Sequence, residues 1–214
     1  LDYEKLDVVT WSWQKVLGSE GGFGMLALSP EAVQRLESYQ APRPLPKIFR
    51  LTKKGKIDEA IFKGATINTP SMLALEDLHS ALDWASSIGG LSSLINRCDD
   101  NFNVLNNWVE KSDWIAWLPE NPNTRSTTSM CLKIIADEFV TLTEDEQQSA
   151  IKTMCKSLEK EGVAFDIAAY RNAPPGFRIW GGATVESTDM EALTPWLDWA
   201  YKQWLNATSV EEVK

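Results

Sequence analysis

Hydrophobic and polar positions alternate in two different ways along the chain. Short runs of β-branched and aromatic residues predict strands, and apolar residues that recur every three or four positions predict amphipathic helices. Helices are predicted over 30–39, 69–89, 91–109 and 143–162 and after the capping pattern 188–191. Strands are predicted over 7–13, 25–28, 129–136, 163–170 and 177–185, with 48–49 and 57–62 as flanks of a basic hairpin tip at 53–56. Pro195 is expected to kink the last helix or to restart it at Thr194.

The polar, proline-bearing stretch 119–124 is the best candidate for a domain boundary, because apolar periodicity lies on both sides of it. We therefore predict one domain over 1–118 and a second over 119–214. The predicted order β-α-β-β-α after the boundary is that of a small α+β domain.

Lys15 directly follows the first predicted strand, which we expect to be buried, and precedes a glycine-rich loop. A lysine amine that is partly buried at a strand end can act as a nucleophile toward a carbonyl, because burial lowers its pKa. The same pattern also fits an ordinary lysine whose amine reaches solvent.

Two further places can bind an anion. Thr69 is predicted to cap a helix with Pro70 in its first turn, and Asn68 stands beside it, so free backbone N–H groups gather at a helix start, where phosphate binds well. Arg171 and Arg178 flank the turn between two predicted strands, and both guanidinium groups could point into one cleft. An ordinary helix cap and two surface arginines are the alternative interpretations.

Composition excludes several classes of function. A net charge of −9 and a pI near 4.7 disfavour nucleic-acid binding, and the ten tryptophans are scattered in a way that indicates packing. With one histidine, His79, and three distant cysteines, no metal site is predicted, and the cysteines are expected to be reduced core thiols in a cytosolic protein. No apolar run is long enough to span a membrane, and no Walker, Rossmann or Ser-His-Asp pattern is present.

Three motifs together resemble the phosphoserine aminotransferase family, in the form usual in α-proteobacteria. They are Ser12-Trp-Gln14-Lys15 after a strand, Asn68-Thr69-Pro70 before a helix, and Arg171 with Gly176-Phe-Arg178. The resemblance extends over essentially the whole chain. It implies an α/β fold that is the C-terminal portion of a fold-type I pyridoxal-phosphate transferase: the end of the large-domain sheet and a small α+β domain.

The resemblance also implies roles for the residues that contact the cofactor, pyridoxal 5′-phosphate. Lys15 is expected to bond covalently to the cofactor aldehyde and to move the proton of the substrate α-carbon, with Gln14 in contact with the cofactor. Asn68 and Thr69 are expected to reach the cofactor phosphate of the other subunit of a homodimer.

The implied reaction transfers the amino group of glutamate to 3-phosphohydroxypyruvate, giving 2-oxoglutarate and phosphoserine for serine biosynthesis in the cytoplasm. Arg178 is expected to hold the substrate α-carboxylate, and Arg171 the phosphate or side-chain carboxylate. The family often has histidine where this chain has Tyr170, which puts side-chain specificity in doubt.

Members of this family are much longer than 214 residues. The part that would precede Leu1 holds the main phosphate-binding loop, a stacking aromatic residue and the aspartate paired with the pyridine nitrogen. The chain also lacks an initiator methionine, so we expect a C-terminal part that is inactive, or nearly so, by itself. Two alternatives are another class V aminotransferase, acting on alanine or on serine and glyoxylate, and a noncatalytic fragment of the fold.

Overall fold

A computed structural model describes residues 2–211 of the chain. Its contacts divide the chain into unit 1 (Leu1–Trp84) and unit 2 (Ala85–Lys214). Leu1 and residues 212–214, at the outer ends of the two predicted domains, lie outside the described residues. The boundary predicted after residue 118 falls within unit 2, and the division of the whole protein into domains stays a prediction.

Unit 1 begins with the predicted hairpin and helix. β1 (Val8–Ser12) pairs antiparallel with β2 (Gly24–Leu28), and α1 (Pro30–Ser38) follows at once. The Ser29 hydroxyl accepts a hydrogen bond from the Ala32 backbone N–H at 3.0 Å, which fixes the start of α1.

This hairpin is more exposed than the sequence indicates. Val8, Trp11, Met25 and Leu26 are 56%, 45%, 45% and 39% exposed. The prediction that Lys15 follows a buried strand is therefore wrong for this structure. A sheet of two strands has no inner strand, so apolar side chains on its two faces are not all covered.

The basic stretch 53–56 forms the predicted hairpin tip. β3 (Thr52–Lys53) pairs with β4 (Lys56–Ile57), and the turn between them has positive φ angles. The Lys56 amine lies 2.9 Å from the Glu37 carboxylate. A hydrogen bond from the Ile57 N–H, together with Lys56, lowers the pKa of Glu37. Lys56 therefore has a structural partner on α1.

The longer strands predicted on both sides of this tip are wrong. Lys47–Phe49 and Ile61–Lys63 are single turns of 3₁₀ helix. Short apolar runs do not distinguish a strand from a helical turn by periodicity alone.

The two predicted amphipathic helices are present as α2 (Met72–Ser87) and α3 (Leu91–Val109). Gly89 and Gly90 end the first helix with φ angles of 109° and 71°, which glycine adopts without strain. His79 lies on the exposed face of α2, as predicted. Among the described residues, no helix is both long and apolar enough to cross a membrane.

Unit 2 is built on a three-stranded antiparallel sheet. β6 (Ser129–Ile134) is the central strand, and β5 (Ile115–Trp117) and β7 (Phe177–Trp180) flank it. Residues of β6 alternate between half-buried and buried, so Met130, Leu132 and Ile134 enter the core.

Three helices complete the core of unit 2. The short α4 (Asp137–Val140) precedes α5 (Glu144–Lys160), and α6 (Ser187–Glu211) contacts both α3 and α5. The predicted capping box of α5 is present: the Thr143 hydroxyl accepts from the Glu146 N–H, and the Glu146 carboxylate accepts from the Thr143 N–H. The fully buried apolar side chains include Leu105, Ile115, Met130, Leu132, Met154, Leu158, Phe177, Ile179 and Leu197.

Several strand predictions in unit 2 are wrong. Residues 163–170 form no strand: Ala168 pairs with Phe177 only as an isolated bridge, and Asp166 has a φ of 53° that interrupts an extended backbone. β7 ends at Trp180, earlier than predicted. β5 and α4 were not predicted, so unit 2 has the order β-β-α-α-β-α after α3 and not β-α-β-β-α.

The last helix differs from its prediction at two points. It begins at Ser187, where the Asp189 N–H donates to the Glu186 carbonyl, so the capping pattern at 188–191 does not start it. Pro195 lies inside this helix and does not restart it. Proline has no N–H for the Glu191 carbonyl four residues earlier, and the Thr194 hydroxyl donates to that carbonyl at 3.2 Å.

The tryptophans serve packing, as predicted. Asp198, half-buried on α6, accepts a hydrogen bond from the indole N–H of Trp108 at 3.2 Å and from that of Trp114 at 2.8 Å. The Trp114 ring stacks on Tyr201 with centroids 4.4 Å apart, and burial raises the pKa of the Tyr201 hydroxyl. One carboxylate therefore ties α6 both to α3, through Trp108, and to the segment between α3 and β5, through Trp114.

The three cysteines are free thiols, as predicted, and Cys98 and Cys155 are buried. Burial raises the pKa of both thiols, that of Cys155 to about 11. Neither thiol is therefore ionised to a useful extent near neutral pH.

Replacing Asp198 with alanine removes the acceptor of both indole N–H groups. We expect the free energy of unfolding to fall by about 2–3 kcal/mol, the range for hydrogen bonds to a charged group, as measured by urea denaturation followed by tryptophan fluorescence. Asp198→Asn keeps one acceptor oxygen and should cost less. Equal stability of Asp198→Ala and the unmodified chain would show that the indoles bond water equally well.

Candidate functional site

Lys15 lies on the turn that follows β1, as predicted. The Gly18 N–H donates to the Lys15 carbonyl at 3.1 Å, and Gly18 has the positive φ of 64° that closes the turn. The Lys15 side chain is exposed. Unit 1 therefore does not supply the burial on which the argument for a nucleophilic lysine relied.

Trp13 anchors this turn to the hairpin. Its side chain is buried, and its ring stacks on Phe23 with centroids 5.8 Å apart. The Trp13 N–H donates to the Phe23 carbonyl at 3.1 Å, and the Trp13 carbonyl accepts from the Ser19 N–H at 3.3 Å. The backbone on both sides of Lys15 is thus held while its side chain projects outward.

Gln14 lies beside Lys15 and against Gly21. A Cβ atom at position 21 would come within 2.7 Å of the Gln14 Oε1. Glycine at position 21 therefore leaves room for the Gln14 amide, which is exposed next to the lysine.

Asn68 and Thr69 lie in an exposed bend before α2. The Thr66 hydroxyl donates to the Asn68 carbonyl at 2.6 Å and holds this bend. The prediction that Thr69 caps the helix is wrong, because the Ser71 hydroxyl accepts from the Ala74 N–H at 3.3 Å and α2 begins after Ser71.

A basic cavity in unit 1 was missed by sequence reasoning. Lys47, Arg50 and Lys53 line a cavity of about 460 Å³ together with one carboxylate, Asp58, and with Thr66 and Ile67, which immediately precede Asn68. The three cations stand on a 3₁₀ turn, the connector after it and β3, so their spacing along the chain gives no signal of convergence.

Arg178 is largely enclosed in unit 2. Its side chain is 13% exposed, and its Nη2 lies 3.3 Å from both the Oδ2 and the carbonyl oxygen of Asp166. The guanidinium carbon stands 4.4 Å from the centroid of the Tyr170 ring. The Arg178 Nε is buried without a hydrogen-bond partner among the described residues.

Arg171 lines a cavity of about 280 Å³ that Arg178 does not line. Tyr170 and Arg171 reach this cavity from the loop 170–176, and Gln148, Ile151 and Lys152 reach it from α5. The prediction that both arginines point into one cleft is therefore wrong, because of the two only Arg171 lines this cavity. Tyr170 lines the cavity with Arg171 and also stacks on Arg178.

The loop that carries Arg171 is fixed at both ends. The Ala169 N–H donates to the Gly176 carbonyl at 3.0 Å, and the Arg178 N–H donates to the Ile167 carbonyl at 2.7 Å. Gly176 passes so close to the carbonyl oxygen of Leu132 on β6 that a Cβ atom would overlap it. Close packing therefore requires glycine at this position. The glycine of the Gly-x-Arg pattern is the trace of this requirement in the sequence.

No family model matches the chain. The chain is 55% identical over 201 residues to the phosphoserine aminotransferase of Methanosarcina barkeri, a match that covers 94% of this chain and 52% of that protein. The chain therefore spans about half the length of this relative.

Several solved structures with the same fold are phosphoserine aminotransferases. That of Bacillus circulans subsp. alkalophilus has a TM-score of 0.71 at 17% identity and covers 95% of this chain and 49% of that chain. The pyridoxal-phosphate-bound enzyme from Trichomonas vaginalis has a TM-score of 0.68 at 14% identity and covers 92% of this chain and 49% of that chain. Another structure with this fold is an alanine–glyoxylate aminotransferase from Nostoc sp., with a TM-score of 0.64 at 15% identity, covering 94% of this chain and 49% of that chain.

The corrected start of α2 can be tested by removing each hydroxyl. Ser71→Ala should destabilise unit 1 by about 1 kcal/mol, the usual cost of losing a helix cap, in thermal melts followed by circular dichroism. The matched control, Thr69→Ala, removes a hydroxyl that does not cap the helix and should leave the melt unchanged. The opposite ranking would restore Thr69 as the cap.

Proposed function

We infer that the chain belongs to the phosphoserine aminotransferase family, and we propose that it carries the Lys15-bearing C-terminal half of such an enzyme. This inference rests on the 55% sequence identity to the Methanosarcina barkeri protein over 94% of this chain. The expected fold is confirmed, because solved aminotransferases of this kind share it. Whether the chain is of the α-proteobacterial form stays a prediction.

The residues around Lys15 fit the aldehyde end of pyridoxal phosphate. Lys15 offers an exposed amine on a turn whose backbone is held by Trp13, and the space beside Gly21 leaves the Gln14 amide free to contact a ligand. Bound pyridoxal phosphate supplies an aldehyde that reacts with amines and a ring that accepts electrons from the substrate α-carbon.

In this proposal Lys15 has two tasks. Its amine would condense with the cofactor aldehyde, with loss of water, and once the substrate amine had replaced it, it would move the proton of the substrate α-carbon. Both tasks need an anchored backbone on either side of the lysine, which the turn provides.

Arg178 and Arg171 bind the substrate in this proposal. Arg178 is suited to the α-carboxylate, because its side chain is oriented by Asp166 and Tyr170 and its buried Nε has no protein partner among the described residues. Arg171 binds the distal anion, in the cavity it lines.

The substrates proposed are glutamate and 3-phosphohydroxypyruvate, with phosphoserine and 2-oxoglutarate as products, in the cytoplasmic biosynthesis of serine. We further propose a homodimer in which Asn68 and Thr69 bind the cofactor phosphate of the other subunit. Their exposed bend, adjacent in sequence to a cavity lined by three cations, supports this role.

The proposal predicts that Lys15 is the lysine selected by pyridoxal phosphate. After borohydride reduction of the mixture, we expect a peptide map to place the adduct on Lys15, and Lys15→Ala to abolish it. Lys54→Ala is the matched control, because Lys54 is equally exposed on the β3–β4 turn and should not affect labelling. Labelling spread evenly over surface lysines would contradict the proposal.

The proposal also predicts that the 214-residue chain alone does not transaminate detectably. In this proposal, the groups that hold the ring nitrogen and the main phosphate come from polypeptide outside these residues, so the electron-accepting ring is not kept protonated. Conversion of glutamate and phosphohydroxypyruvate, followed as 2-oxoglutarate formed, would show that these 214 residues contain a complete site.

A further inference from the structure

The cavity beside Arg171 is lined by a second cation that the sequence did not single out. Lys152 lies on the exposed side of α5 and borders the same cavity as Arg171. Among residues 2–211, no acidic residue lines this cavity, although the chain as a whole carries a net charge of −9. The cavity is therefore a local basic site on an acidic protein.

Neither cation is neutralised by a residue that the structure describes. Among the residues that the structure describes, Lys152 and Arg171 make no ion pair and no side-chain hydrogen bond, whereas Arg178 is engaged by Asp166. Two unpaired cations on one cavity repel each other, and a bound anion removes that repulsion.

The cavity is also the right size for a small anion. Its volume of about 280 Å³ lies just below the roughly 300–1,000 Å³ of pockets for drug-sized ligands. The loop that carries Arg171 is fixed against β6 by Gly176, and Lys152 stands on a regular helix, so both cations project from held backbone.

From these observations we propose that Lys152 is a specificity-determining residue that binds the phosphate group of the substrate together with Arg171. A phosphate dianion offers three acceptor oxygens and balances two cations, whereas a carboxylate carries a single charge. The fork of Arg171 and the point charge of Lys152 would therefore distinguish a phosphorylated substrate from its unphosphorylated analogue. This inference deepens the proposed function and rests on it.

The test is a titration of the ¹⁵N-labelled 214-residue chain with O-phospho-L-serine, with inorganic phosphate and L-serine as separate probes. We expect both phosphates to shift the backbone amide signals of 169–173 saturably, and L-serine to leave them in place. Lys152→Gln should weaken phosphoserine binding by about three- to fivefold, the upper part of the range for loss of one exposed ion pair.

Lys156→Gln is the matched control. Lys156 is exposed one turn further along α5, carries the same charge and does not line the cavity. It should change the dissociation constant less than twofold. Equal weakening by the two variants would show that only net charge matters and would overturn the proposal. Unchanged binding in Lys152→Gln would overturn it as well. So would amide signals that shift only at Lys47, Arg50 and Lys53, because phosphate would then bind in the other cavity.

Failure of this inference and failure of the proposed function give different results. If only the phosphate site is wrongly assigned, Lys152→Gln does not weaken phosphoserine binding, and pyridoxal phosphate still labels Lys15 selectively. Loss of selective labelling at Lys15, with phosphate still bound through Lys152, would overturn the transaminase proposal and leave the anion site standing.

Discussion

The central strand β6 is the constraint on which the structure of unit 2 depends. It pairs with β5 on one side and β7 on the other, and its buried residues form the layer that the helices cover. Because Gly176 contacts the backbone of Leu132 directly, the same strand fixes the loop that carries Arg171. Asn101 of α3 adds a second restraint by donating to the carbonyls of Gly181 and Gly182 at the end of β7. Core packing thus determines where the basic groups stand.

In the proposed function, each unit carries a different kind of chemistry. Unit 1 holds an exposed amine on a short, anchored turn, a position suited to forming and breaking a covalent bond. Unit 2 holds cations on a rigid sheet and helix, a position suited to recognising anions. Recognition of charge needs fixed geometry, whereas transfer between two partners needs a side chain that can leave one and reach another.

The sequence predicts most helices correctly, because their signals are local. The capping box at Thr143, the glycine pair before α3 and the apolar stripe of α3 each act within a few residues. Strands are predicted less well: 163–170 has strand-like composition, but only a bridge forms beside β7. Its pairing depends on distant residues that a local pattern does not contain.

Local pattern has the same limit at the candidate site. The Gly-x-Arg motif was visible, since a required glycine and an arginine stand close together in the chain. The approach of Lys152 to Arg171 was not, because α5 and the loop meet only after folding. The exposure of β1 was also missed, since the number of strands that flank β1 cannot be read from β1 itself.

The β1–β2 hairpin has a consequence for how the chain behaves at high concentration. β1 and β2 form a two-stranded sheet, so among the described residues no further strand pairs with the outer edge of either one. Apolar side chains such as Trp11 and Met25 lie exposed on these strands. That combination is the one through which strands of separate molecules add to each other. At high concentration this small apolar edge therefore favours association, against the repulsion of the surplus carboxylates.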